Sequence, residues 1–153
     1  MSDTWQGRLD QFRSFLLLER RLSEHTVEAY LADVGKLALF LEQEQLQASP
    51  EQVQTATLID FLQWLCGLGL GESSQARILS GLRAFYKYLL MEELIELDPT
   101  EVLEGPRLRR KIPEVLTAEE IQRMLESIDL SHPQGHRNRA MLEVLYACGL
   151  RVS

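Results

Sequence analysis

The sequence predicts an all-α protein. A bundle of four to five helices is expected over residues 1–105, a basic linker over 106–116, and the first two helices of a second, truncated unit over 117–153. Three observations predict it. Apolar residues recur at three- and four-residue spacing in one segment after another, the pattern of helices that each bury one face. Residues suited to starting and stopping helices separate those segments, with Ser23 and Thr117 at starts and Gly67, Gly69, Gly71 and Gly149 at stops. A proline-containing basic stretch, RLRRKIPEV, has no apolar period and reads as extended.

Length and composition bound the rest. The 153 residues suit one domain or a domain and a fraction, and a 45% hydrophobic content suits a packed core. No apolar run approaches the roughly 20 residues a membrane helix needs, and the start, MSDTWQGR, lacks the apolar stretch of a secretory signal, so a cytoplasmic location is expected. Cys66 and Cys148 stand far apart in apolar helical patterns and are expected to be reduced, packed thiols. His25, His132 and His136 are scattered in polar surroundings and read as surface residues. With no metal-ligand spacing, phosphate-cradling glycine loop or Ser-His-Asp set, no metal or cofactor is expected.

The net charge of −7 weighs against a nucleic-acid binder, since Lys and Arg drive phosphate binding by displacing counterions. The distribution tells a different story. Glu92 to Glu104 carries six acids and no base, whereas Arg107 to Lys111 carries four bases and no acid. A chain this polarised can offer a basic face to DNA despite an acidic total.

The elements follow in order. Trp5 to Arg21, with Leu9, Phe12, Phe15 and Leu16 on one stripe, is a first helix expected to end on Arg20 and Arg21, where cations meet the negative end of the dipole. Ser23 caps a second helix, Glu24 to roughly Glu44, striped by Val27, Tyr30, Leu31, Val34, Leu37, Ala38 and Leu41. Residues 45–51 contain Pro50 and read as a loop. Thr57 with Asp60 resembles a capping box opening a third helix. Ser73 or Ser74 caps the fourth, and a short helical piece is expected between Pro99 and Gly105. Thr117 with Glu120 forms a second capping box, Ser131 to Gly135 is a loop, and Ala140, Met141, Val144, Leu145 and Cys148 mark a last helix burying one apolar face, stopped by Gly149. The 48 residues after Gly105 are too few to fold unaided and read as the start of a larger domain.

The fourth helix is the most informative. At about 100° per residue its large apolar residues, Leu90 among them, share one arc, while Ser73, Ser74, Arg77, Ser80, Arg83 and Lys87 fall on the other with Tyr88. Three cations, three hydroxyls and no acid suit contact with phosphates and base edges. A merely solvated amphipathic helix is the competing reading, although exposed faces normally mix signs.

Four pieces of the chain, in order, are similar to the tyrosine recombinase (phage integrase) family, and within it to the bacterial Xer recombinases of XerD type. They are Leu22-Ser23-x-x-Thr26-x-x-x-Tyr30-x-x-Asp33; SSQARILSGLRAFYKYL; Leu116-Thr117-x-x-Glu120 with Met124 at the closing position; and RNRAMLEVLYACGLRVS, the specific one. The resemblance implies a core-binding, SAM-like helical domain that lays its second and fourth helices across double-stranded DNA, followed by the beginning of a catalytic domain. It implies DNA contacts by Ser73, Ser74, Gln75, Arg77, Ser80, Arg83 and Lys87 of the fourth helix. From the second helix it implies His25, Thr26 and Lys36, with Glu28 opposing phosphate. From the linker it implies Arg107, Arg109, Arg110 and Lys111.

Arg151 matches the first arginine of the family's catalytic set, which holds the scissile phosphate. The tyrosine nucleophile and its other partners lie beyond residue 153 in the family, so the chain alone is expected to be inactive; Tyr30, Tyr86, Tyr88 and Tyr146 sit in helical stripes with no cluster of basic partners expected and are not candidates. One departure is Cys148, where related sequences often carry Thr. The implied activity of the parent is strand cleavage and rejoining through a 3′-phosphotyrosyl intermediate, without metal or nucleotide. The implied partners are a DNA recombination site, a second Xer-type recombinase in a heterotetramer, and a DNA translocase as activator. A non-catalytic DNA-binding module of a regulator and a helical protein-interaction domain are the rival readings.

Overall fold

A computed structural model describes residues 3–106 and 114–151. Every regular element among them is helical: α1 (Asp3–Leu18), α2 (Glu24–Gln43), a 3-10 turn (Pro50–Gln52), α3 (Thr55–Gly67), α4 (Glu72–Met91), α5 (Ala118–Glu126) and α6 (Gly135–Cys148). The chain divides into two compact units, Met1–Arg109 and Arg110–Ser153.

The first unit is a four-helix bundle built around α4, whose Ile78, Leu79, Leu82, Phe85, Tyr86 and Leu89 are buried. Trp5, Leu9, Phe12 and Leu16 of α1 face it, and Phe12 meets Phe85 edge-on at 5.2 Å between ring centres. Such an aromatic pair adds about 0.5–1.5 kcal/mol beyond its buried area. A second aromatic group, Phe40, Phe61 and Trp64, joins α2 to α3 at 5.6–5.9 Å. Trp5 Nε1 donates to Ala48 O at 2.9 Å and Arg8 pairs with Glu51, so α1 also holds the segment that follows α2.

Four helices end the same way. Gln45, Gly69, Glu93 and Gly149 adopt left-handed backbone with φ of 56, 74, 55 and 60°. The next residue, in each case leucine (Leu46, Leu70, Leu94, Leu150), donates its N–H back to the carbonyl of Leu41, Leu65, Leu89 and Leu145 respectively. This is the Schellman arrangement, and the leucine pair it brings together is its usual hydrophobic contact.

Several boundaries depart from the sequence expectation. α1 ends at Leu18, so Arg20 and Arg21 lie beyond its last turn, with Arg21 left-handed at φ 50°. α3 starts at Thr55, because Leu58 N already bonds to Gln54 O, and Thr57 sits inside the first turn instead of capping it. α4 starts at Glu72 after Gly71, so Ser73 and Ser74 are also first-turn residues. No helix forms between Pro99 and Gly105. There Asp98 Oδ1 accepts from both the N–H and the hydroxyl of Thr100, at 2.8 and 2.7 Å, an Asx turn that competes with helical bonding. Ser23 does cap α2, and Thr117 with Glu120 forms the expected capping box on α5.

In the second unit α5 packs on α6, and among its described residues Leu125 and Gly135 are the buried ones. Gly135 opens α6 against the Asp129 carbonyl, where an added Cβ would fall 2.0 Å away. The apolar stripe of α6 is present but uncovered, with Met141 50% and Val144 52% exposed. Both cysteines are free and exposed, so the expectation of packed thiols fails. Cys66 falls on the outer side of α3, where Sγ donates to Gln75 Oε1 at 3.3 Å, and Cys148 ends a helix whose face is uncovered.

Candidate nucleic-acid interface

The outward side of α4 presents Ser73, Ser74, Arg77, Ser80, Arg83 and Lys87, all exposed. At 1.5 Å per residue the stripe from Ser73 to Lys87 is about 21 Å long, more than the roughly 12 Å width of a B-DNA major groove. Its edges differ from those drawn by the helical wheel. Tyr88 is buried because Phe12 and Phe15 of α1 cover its ring at 5.4 and 5.0 Å, whereas Leu90 is 39% exposed at the opposite edge. Packing against α1 therefore takes Tyr88 out of the polar face drawn by the wheel.

The cations on this face are held by the bundle in different ways. Arg77 Nη1 donates to Asp33 Oδ2 of α2 at 2.8 Å. Arg83 Nη2 donates to the Leu103 carbonyl, whose residue is packed in the core. Among the described residues Lys87 makes no ion pair. Ser80 Oγ bonds back to Ala76 O, and Gln75 is drawn inward, donating to Leu70 O at 2.7 Å. Gln75 thus fastens the α3–α4 turn.

From α2, His25 and Thr26 are exposed in the first turn, with Thr26 Oγ1 2.9 Å from Ser23 Oγ. Lys36 Nζ donates to Asp33 Oδ1 at 3.1 Å. Glu28 is exposed as well. Arg107, Arg109, Arg110 and Lys111 lie outside the described residues.

Two residues without a sequence-derived role tie α2 to α4. Asp33 is a carboxylate only 1% exposed, and Gly81 is the α4 residue it packs against. The sequence did carry a signal for Asp33, since it stands three residues after Tyr30 and four before Leu37, on the apolar stripe, where a charge requires a partner. Arg20 is a third addition. It lines a recess of about 200 Å³ with Phe15, Tyr30, Arg83, Lys87 and Tyr88, so positive charge continues from α4 toward the end of α1.

Contrary to the sequence expectation, Tyr30 and Tyr88 do have basic neighbours, since they share that recess with Arg20, Arg83 and Lys87. Tyr86 is fully buried with no hydrogen-bond partner for its hydroxyl, and burial first, then the charges of Asp98 and Glu51, push its phenol far above the usual range. It stays neutral. Arg151 is exposed and borders an apolar recess on α6 with Arg137, Met141 and Val144. No group of three potential metal ligands occurs among the described residues, and no helix there is long and apolar enough to cross a membrane.

Residues 9–93 match the family described as phage integrase, N-terminal SAM-like domain. A tyrosine recombinase XerD from Pseudomonas putida is 39% identical over 145 residues, covering 95% of this chain and 48% of that protein. A tyrosine recombinase XerD from Pseudomonas aeruginosa is 39% identical over 153 residues, covering 100% of this chain and 51% of that protein. Among solved structures, an integrase from mycobacterium phage Brujita superposes with a TM-score of 0.64 at 21% identity, covering 98% of this chain and 48% of that one, which shows a shared fold. The chain spans about half the length of the curated relatives it matches.

Proposed function

This chain belongs to the phage integrase family by its N-terminal SAM-like domain, and from that premise we propose that it is the DNA-binding part of a site-specific tyrosine recombinase. The observation that carries the proposal is the outer face of α4, where Ser73, Ser74, Arg77, Ser80, Arg83 and Lys87 stand exposed on the stretch matched by the family. His25, Thr26 and Lys36 of α2 add contacts from the helix packed beside it, while Gln75 supports the α3–α4 turn. The linker cations Arg107, Arg109, Arg110 and Lys111 would track the backbone between residues 106 and 116, after a core-binding domain ending near residue 105.

In the parent protein a tyrosine supplied by the catalytic domain attacks a backbone phosphate. It forms a 3′-phosphotyrosyl bond and releases a 5′-hydroxyl, which later attacks the partner strand. Neither step consumes a nucleotide. Arg151, at the start of that domain, holds the scissile phosphate and stabilises the charge developing on its oxygens. The 153-residue chain lacks this nucleophile and binds without cutting. A cytoplasmic site of action, a second recombinase in a heterotetramer and activation by a DNA translocase belong to the same reading and rest on the resemblance of the sequence to the Xer recombinases.

Fluorescence-anisotropy titration of a labelled duplex across a salt series tests the proposal. Affinity is expected to fall steeply with salt, as it does when several phosphates are neutralised. Affinity indifferent to salt, or unchanged by Arg77→Ala with Arg83→Ala, refutes it in favour of a helical protein-interaction domain. A non-catalytic regulator module is separated from it by trapping a covalent adduct on a nicked site with the longer gene product.

A further inference from the structure

We propose that Arg77 of α4 and Lys36 of α2 form one phosphate-binding site shared by both helices, with Asp33 as the positioning residue that draws them together. The inference rests on the DNA-binding reading above. Asp33 Oδ2 holds Arg77 Nη1 at 2.8 Å while Oδ1 holds Lys36 Nζ at 3.1 Å, so two cations from different helices converge on one carboxylate. That carboxylate is buried, yet the Arg77 and Lys36 side chains are 54% and 34% exposed. The carboxylate is thus shut off from water while both cations stay open to it.

The arithmetic of the cluster favours a single anion. Two cations and one carboxylate leave a net charge of +1, enough for one phosphate. A guanidinium carries five N–H donors and an ammonium three. Of these, Arg77 commits one to Asp33, and Lys36 commits its ammonium to Asp33 and, at 3.4 Å, to the Ala32 carbonyl. Donors therefore remain on both cations. Pinning two long side chains beforehand removes rotamer entropy that binding would otherwise cost. Gly81 makes the arrangement possible, since a Cβ there would sit 2.9 Å from Asp33 Cβ and 3.2 Å from its Oδ2.

Charge alone and positioning predict opposite outcomes for Asp33→Asn. Removing an acid beside DNA should tighten binding if Asp33 acts only through its charge. If Asp33 positions the cations, duplex affinity of the 153-residue chain falls roughly threefold to tenfold at fixed moderate salt, the loss of about one ordered side chain's pinning. Equal or tighter binding by folded Asp33→Asn overturns the inference. Should that variant not fold, the two partly exposed cations give an independent measurement through Arg77→Gln, Lys36→Gln and the double variant. A shared phosphate lowers the slope of log affinity against log salt by about 0.9 in the double variant, whereas two separate phosphates lower it by about 1.8 and overturn the inference. Loss of salt-dependent binding by the unsubstituted chain would defeat the DNA-binding reading itself. Normal binding with the larger slope change defeats only the shared site.

Discussion

Gly81→Ala tests the α2–α4 junction on which the interface depends. In a helix interior, Gly to Ala ordinarily stabilises by about 0.5–1 kcal/mol through reduced backbone entropy. At Gly81 that gain meets an obstacle, because the new Cβ would lie 2.9 Å from Asp33 Cβ, where ordinary contact begins near 3.4 Å. One helix must move by about half an ångström against a packed core, and overpacking of this kind costs about 1–3 kcal/mol. The net expectation is a loss of up to about 2.5 kcal/mol. Gly35→Ala, on α2 with nothing within 4 Å of the added Cβ, provides the matched control and should gain about 0.5–1 kcal/mol. Urea unfolding followed by tryptophan fluorescence reads the first unit alone, since both tryptophans, Trp5 and Trp64, belong to it. A Gly81→Ala protein as stable as Gly35→Ala would refute the close approach of Asp33 to α4.

Further outcomes follow from other places in the bundle. Tyr86→Phe removes a buried hydroxyl that has no partner and should leave stability unchanged or raise it by about 1 kcal/mol, checked by the same urea titration. Glu93→Gly relieves a left-handed backbone at φ 55° where the equivalent positions after α3 and α6 are already glycine; a gain of about 0.5–1 kcal/mol is expected, and a loss would contradict the end geometry of α4. Glu51 is held below the ordinary carboxylate range, burial opposing the shift and bonds from its own backbone, Arg8 and Ser49 outweighing it. A depressed folded pKa gives stability that is present above the unfolded value and lost as pH falls through the folded one. Wild type should therefore exceed Glu51→Gln near neutrality and lose that advantage in acid, and a difference independent of pH would rule out the ionised pair.

Most of the bundle was legible in the chain because local rules and packing agree there. Ser23 caps α2 and Thr117 with Glu120 caps α5 as their sequence patterns indicate. The stripe from Val27 to Leu41 indeed lines the core along most of its length. Misplaced boundaries arose where two signals compete. Thr57, Ser73 and Ser74 are good caps, but earlier residues had already adopted helical bonding, and the Asx turn at Asp98 prevailed over a short helix between its flanking prolines. Cys66 and the α6 stripe were read as buried from periodicity alone, which reports an apolar face without saying whether anything covers it.

The candidate interface divides in the same way. Sequence by itself determined that α4 carries serines, arginines and a lysine at helical spacing, because periodicity and residue type are properties of one segment. Tertiary structure alone decided what those groups can do. Packing of α2 on α4 places the buried Asp33 between Arg77 and Lys36, packing of α1 on α4 turns Tyr88 inward beneath the α1 aromatics, and the segment after α4 ties Arg83 to Leu103, since each depends on a partner from another element.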